Sequence, residues 1–165
     1  EVCPMLQVKS RAPEFVLPDD QGRDTSLSDL LHDGPLILYF YPADFTPGCT
    51  REACAVRDIY SELAAVGLTV AGVSPQDPDS HVRFRKTHNL PFTLLCDPGK
   101  IVIRMYGVDG PFGIGVRRAT FLINQDRIIS DTLLADVRIG RHTEFMKKAI
   151  MLRETAGMRA PPAAS

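Results

Sequence analysis

Residues Pro35 to Tyr41 form an unbroken apolar and aromatic run, and Pro42 stops it. A short run without polar alternation predicts a strand covered on both faces, hence the centre of a sheet. Leu68 to Val73 predicts a second buried strand, and Phe92 to Cys96 and Ala119 to Ile123 predict two more. Helical signals separate them. Thr46 is placed to cap a helix with Pro47 at its first position, running to about Ala65 and ending at Gly67. Asp77 to Ser80 open a helix reaching about His88, Lys100 to Tyr106 read as a short helix, and residues 141–155 as a closing helix with Phe145, Ala149 and Leu152 along one stripe. Gln125 and Asp126 predict a hairpin turn into a strand over Arg127 to Ser130.

Upstream, residues 1–12 read as an irregular lead-in. Glu14 to Leu17 read as a short strand, Gln21 to Asp24 as a turn, and Ser26 as the cap of a brief helical turn to Leu31. Residues 107–116, with glycines at 107, 110, 113 and 115, predict a loop, and residues 157–165 a frayed tail. Strands alternating with helices imply crossover units, so the class is α/β with a partly parallel sheet, and the late hairpin makes that sheet mixed. In such layouts functional groups gather where carboxyl ends of strands meet helix N-termini, which is where Cys49 falls.

A chain of 165 residues is expected to form one domain over 1–165. Its balance of 19 Lys and Arg against 20 Asp and Glu, with no basic block, argues against a nucleic-acid partner. Its apolar runs are too short to span a membrane. No secretory signal is visible, so a cytoplasmic location is expected; the chain starts at Glu1 rather than Met, which leaves a removed leader open. The four cysteines, Cys3, Cys49, Cys54 and Cys96, are not needed as staples in a chain with a core of this size. They also lack the second Cys pair or His cluster of a zinc site, so no metal is expected.

Cys49 lies in the first turn of the helix that begins after Thr46. Unpaired N–H groups and the positive dipole end favour an anion there, and the thiolate is the reactive form of cysteine. A lone Cys at a helix start is also an ordinary buried hydrophobe. Thr46 can cap the helix, and its hydroxyl could also meet an oxygen-containing substrate. Pro42 alone means only a strand stop. Cys54 lies five positions after Cys49 on the same helix, which puts the two Cα atoms about 8.7 Å apart. A disulfide spans roughly 7 Å at most, so the pair cannot bond while the helix is intact. Cys54 is then either a small buried residue or a second thiol reached by unwinding. Arg117 and Arg118 are equally plausible surface charges. His81 and His88 share a helix face at seven-residue spacing, a pattern more common in packed or solvated pairs than in ligand sites. Cys96 ends a strand and reads as structural, and Cys3 lies in the lead-in.

The segment Pro42-Ala43-Asp44-Phe45-Thr46-Pro47-Gly48-Cys49 resembles the Pro-x-x-x-Thr-x-x-Cys signature of peroxiredoxins. The longer stretch Tyr39 to Cys54, with Arg57-Asp58, Ala12 to Phe15, Gly72-Val73-Ser74, Leu90-Pro91-Phe92 and Arg118 to Ile123, resembles the bacterioferritin comigratory protein or peroxiredoxin Q group over most of residues 10–155. That resemblance implies a thioredoxin-like fold and a thiol peroxidase. It makes Cys49 the peroxidatic cysteine, Cys54 the resolving one, and Arg118 the arginine lying against the peroxidatic sulfur. Strand alternation would turn Arg117 the other way. Pro42, Thr46 and the N–H groups at Gly48 and Cys49 would hold the peroxide. The implied cycle is a sulfenic acid on Cys49, an intramolecular Cys49–Cys54 disulfide, and reduction by thioredoxin or a similar dithiol, with no cofactor. The group leans towards monomers. Asn124 stands where an Asp is common, which touches only a turn.

Two other readings of the scaffold remain. A thioredoxin-like disulfide oxidoreductase normally needs Cys-x-x-Cys, which is missing here. A non-enzymatic binding or chaperone module would not need Thr46, Cys49 and Arg118 together.

Overall fold

The computed structural model describes residues 3–159. A small antiparallel hairpin pairs β1 (Val16–Pro18) with β2 (Asp24–Ser26). The second of these strands is too short to show any periodicity in sequence, which presents it only as the end of a turn. Helix α1 (Leu27–Leu30) follows, and Ser26 and Asp29 cap it reciprocally.

The main sheet contains β3 (Leu36–Phe40), β4 (Thr69–Ser74), β5 (Thr93–Cys96), β6 (Ala119–Ile123) and β7 (Ile129–Leu134) in the order β5-β4-β3-β6-β7. The first three are mutually parallel, β6 pairs antiparallel with β3, and β7 antiparallel with β6. The sheet is therefore mixed, with β3 in the middle, as its unbroken apolar run requires. The crossovers are α2 (Pro47–Ala65) between β3 and β4, α3 (Pro78–His88) between β4 and β5, and α4 (Ile101–Met105) after β5. A single 3-10 turn, Pro111–Gly113, interrupts the glycine-rich loop, and α5 (Gly140–Arg159) closes the fold.

Alternation along β3 divides the core into two halves. Leu36, Leu38 and Phe40 point into one cluster with Leu27, Leu30, Ile103 and Tyr106. Ile37, Tyr39 and Tyr41 point into the other, with residues of α2, α3 and α5. Helix α2 buries Cys49, Glu52, Ala53, Val56, Ile59 and Leu63, a stripe at three- and four-residue spacing. Cys49 thus belongs to the core-facing side of α2, while Cys54 is offset towards α3 and only half-buried.

Several boundaries differ from the sequence expectation, and the first strand is Val16–Pro18 rather than Glu14 to Leu17. The turn after β6 closes between Asn124 and Ile128 with Arg127 at φ 69°, so the next strand starts at Ile129 rather than Arg127 and continues to Leu134. Helix α5 runs through Gly157 to Arg159; a glycine in a helix costs about 1 kcal/mol relative to alanine and does not by itself end one. Residues 160–165 of the expected tail lie outside the described residues. Leu152 is 58% exposed, and the buried stripe is instead Phe145, Met146, Ala149 and Ile150, because residues 151–157 have left the sheet for solvent. Among the described residues, no helix is long and apolar enough to cross a membrane.

Candidate active site

The site lies where β3 ends and β6 begins. Because β6 is antiparallel to β3, with Phe40 opposite Ala119, the residue before β6 faces the loop after β3. That residue is Arg118, and the loop leads through Pro42 and Thr46 to Cys49. Pairing of two central strands therefore brings together groups 69 positions apart in sequence.

Arg118 is 6% exposed and Cys49 2% exposed. The Nη2 of Arg118 donates to Cys49 Sγ at 3.2 Å, and its Nη1 donates to Glu52 Oε2 at 2.7 Å. Arg117 points outward and pairs with Asp136 at 2.7 Å, as alternation required. The same Asp136 accepts the backbone N–H of Arg118 at 2.9 Å, which fixes the register of both arginines. Gly48 leaves room for the guanidinium: a Cβ there would stand 3.2 Å from Arg118 Nη2 and 3.0 Å from Ile139 Cδ1.

Burial pushes the Glu52 carboxyl up to about 7, with Arg118 acting against that rise. Burial pulls the Arg118 guanidinium down, but the charges of Glu52 and Cys49 outweigh it and the group ends above its ordinary value. The carboxyl and the thiol thus share one cation, and burial favours a proton on Glu52. Beneath them the Tyr39 hydroxyl is held far above its ordinary range, first by burial and then by the charges of Glu52 and Cys49. Within the protein, Tyr39 OH, Glu52 Oε1 and Arg118 Nε are buried without a hydrogen-bond partner among the described residues.

Thr46 has the extended backbone of an N-cap, yet its side chain does not cap α2. Its hydroxyl donates instead to the carbonyl of Ala43 at 3.1 Å. The N–H groups at Gly48 and Cys49, the positions an N-cap side chain ordinarily serves, are thereby left without the Thr46 oxygen. With its proton committed to Ala43, the Thr46 oxygen can face the pocket only as an acceptor. Pro42 lines a surface groove with Gly110, Pro111, Ile114, Val116 and Arg117. The structure therefore brings Cys49, Gly48 and Arg118 together, keeps Thr46 at the start of the same helix, and places Pro42 in a groove with Arg117. Cys54 faces away from Cys49 on the intact helix, and all four cysteines are free. Cys96 is buried, with Sγ 3.8 Å from the Asp19 carbonyl, and Cys3 is exposed.

Sequence reasoning misses Glu52, although an acidic residue on the core-facing stripe of α2 is a readable signal. It also misses Asp44 and His81 as a pair. Asp44 accepts from His81 Nδ1, Ser80 Oγ and the Tyr41 hydroxyl, each at 2.7 Å. His81 Nε2 meets the Leu95 carbonyl at 3.0 Å. This fully buried pair ties the loop before Thr46 to α3.

A thioredoxin-like sheet that holds a buried thiol at a helix start, against an arginine and a carboxyl, defines a class of thiol enzymes acting on small oxidants. The AhpC/TSA family model matches residues 8–132. A Coxiella burnetii protein carrying the name peroxiredoxin bcp is 45% identical over 131 residues, 76% of this chain and 86% of its own length. A chloroplastic peroxiredoxin Q of Oryza sativa subsp. japonica is 43% identical over 129 residues, 78% of this chain but 59% of its own length. Among solved structures, peroxidoxin BcpB of Mycobacterium tuberculosis superposes with a TM-score of 0.84 at 33% identity, covering 89% of this chain and 97% of that one. A Xanthomonas campestris bacterioferritin comigratory protein, studied for alkyl peroxide reduction, gives 0.76 at 26% identity, covering 84% and 90%. The chain belongs to the AhpC/TSA family, in its bacterioferritin comigratory protein and peroxiredoxin Q branch. It is a thiol-dependent peroxidase with the thioredoxin-like fold of that family.

Proposed function

We propose that Cys49 is the peroxidatic cysteine, with Thr46, Gly48 and Arg118 holding the peroxide. The contact between Arg118 Nη2 and Cys49 Sγ at 3.2 Å carries this reading. A guanidinium in that position stabilises a thiolate and the charge that develops on the departing peroxide oxygen. The thiolate sulfur attacks one peroxide oxygen and the O–O bond breaks. Cys49 becomes a sulfenic acid, and the other oxygen leaves, after protonation, as water or an alcohol. The Thr46 oxygen accepts the proton of the incoming hydroperoxide, which orients its O–O bond towards the sulfur.

Cys54 then resolves the sulfenic acid as an intramolecular disulfide. Both cysteines sit on the intact helix α2, so this step requires the first turns of α2 to unwind. Hydrogen peroxide and organic hydroperoxides are both substrates in this reading. The groove lined by Pro42, Pro111, Ile114 and Val116 supports the second class, since it offers apolar surface to an alkyl group. Reduction by thioredoxin, a monomeric state and a cytoplasmic location complete the reading and rest on the family resemblance. The test is peroxide consumption coupled to thioredoxin, thioredoxin reductase and NADPH. Cys49→Ser should abolish turnover and Cys54→Ser should block thioredoxin-dependent cycling. Wild-type turnover by Cys49→Ser would end the assignment.

A further inference from the structure

We propose that His88 accepts the thiol proton of Cys54 during resolution and is a catalytic residue of that second step. The proposal rests on the reading of Cys54 as the resolving cysteine. It stands on one geometric fact: Cys54 Sγ lies 3.8 Å from Nδ1 of His88, on the facing end of α3. That is within hydrogen-bond reach for sulfur, and an imidazole nitrogen with a free lone pair is the usual acceptor for such a proton.

The ring is held in place rather than mobile. It packs edge-on against Phe84, with centroids 5.2 Å apart, and lies 6.2 Å from Phe45. Arg57, one helical turn after Cys54 on α2, donates through Nη1 to the His88 carbonyl at 2.8 Å. Asn89 follows in the left-handed conformation that ends α3, so the imidazole sits on the last residue of its helix. The Arg57 tether lies beyond Cys54 in the chain. Unwinding of the turns before Cys54 leaves the segment from Cys54 to Arg57 attached to His88. The base therefore stays with the nucleophile while Cys49 is brought to it.

In the resolving step, the Cys54 sulfur forms a bond to the Cys49 sulfur, and the S–O bond of the sulfenic acid breaks. The Cys54 sulfur is oxidised and the Cys49 sulfur is reduced. The Cys54 proton passes to His88 Nδ1, and the departing hydroxide takes a proton back from the imidazolium and leaves as water. His88 ends the step unchanged.

The experiment follows sulfenic acid formation and disulfide formation separately, by rapid quench and peptide mass mapping after one equivalent of hydrogen peroxide. His88→Phe keeps the packing against Phe84 and Phe45, and His88→Gln keeps a polar group that cannot act as a base. Both should slow disulfide formation about tenfold or more while sulfenic acid forms at the original rate. Excess peroxide should then convert a larger share of Cys49 to sulfinic acid per turnover. Added imidazole should restore part of the lost rate in both variants. Disulfide formation at the wild-type rate in both variants, or a slowing that imidazole never relieves, overturns the role of His88. A disulfide mapped in the wild-type protein to a cysteine other than Cys54 overturns the resolving assignment itself, and the role of His88 with it. If His88→Phe does not fold, His88→Gln and its response to imidazole decide the matter.

Discussion

Replacing Asp44 with asparagine should erase a specific pH dependence of stability. Asp44 and His81 are both fully buried, and their side chains meet at 2.7 Å. The Leu95 carbonyl can only accept, so His81 Nε2 carries a proton, and the Asp44 carboxylate draws a second proton to Nδ1. Burial alone would pull the His81 imidazole down, but the hydrogen bond and charge of Asp44, aided by Cys96, raise it from 6.5 to about 9. Burial pushes the Asp44 carboxyl up, and the hydrogen bonds from His81, Tyr41 and Ser80 more than reverse this, leaving it below its ordinary value. The folded imidazole therefore holds its proton more tightly than the unfolded one. Its contribution is complete below pH 6.5, shrinks as pH rises, and is gone above about 9. At 1.36 kcal/mol per pH unit, that interval corresponds to about 3 kcal/mol, counted once for the pair. An asparagine in this place would keep one acceptor oxygen for Ser80 and His81 and turn its NH2 towards the Tyr41 hydroxyl; it carries no charge, so His81 would turn neutral. Urea unfolding of both proteins, reduced with dithiothreitol, at several pH values from 6 to 10 measures the difference. Wild type should lead Asp44→Asn by about 3 kcal/mol near pH 6, and the two should converge above pH 9. Curves that run parallel across the whole range would refute the reasoning.

Other parts of the site lead to further expectations. Arg118→Met should slow the reaction of Cys49 with peroxide about a hundredfold, measured by competition for hydrogen peroxide, because it removes the donor that meets developing charge. Glu52→Gln should flatten a second pH dependence of stability. The folded Glu52 carboxyl is raised from 4.5 to about 7, so its favourable contribution is complete below 4.5 and lost as pH rises through 7. Unfolding free energies of the variant should lack that fall, which amounts to about 3 kcal/mol. Hydrogen exchange over residues 47–55 should be faster in the oxidised protein than in the reduced one, and equal protection would contradict unwinding of α2.

What can be read from sequence follows the range of the physical signal. The apolar run before Pro42 places β3 at the centre because full burial leaves no alternation to hide. Helix α2 is bounded by Pro47 and Gly67, whose constraints are local. The contact between Cys49 and Arg118 depends on antiparallel pairing of β3 and β6, and only the family motif singles out Arg118 from Arg117. Glu52 can be found by following the buried stripe of α2. Asp44 with His81, and Cys54 with His88, join segments 37 and 34 residues apart, and no local pattern encodes them. Thr46 shows the opposite failure. A strong local preference for capping gives way to a hydrogen bond to the Ala43 carbonyl, a partner on the preceding loop.

The central claim is that peroxide oxidises Cys49 first and that Cys54 closes the disulfide. Peptide mass mapping after one equivalent of hydrogen peroxide tests it directly. The wild-type protein should yield a peptide pair joined through Cys49 and Cys54, and Cys54→Ser should yield a sulfenic acid on Cys49 that a dimedone probe captures. Oxidation that first appears on Cys3 or Cys96 while Cys49 stays a free thiol would contradict the account.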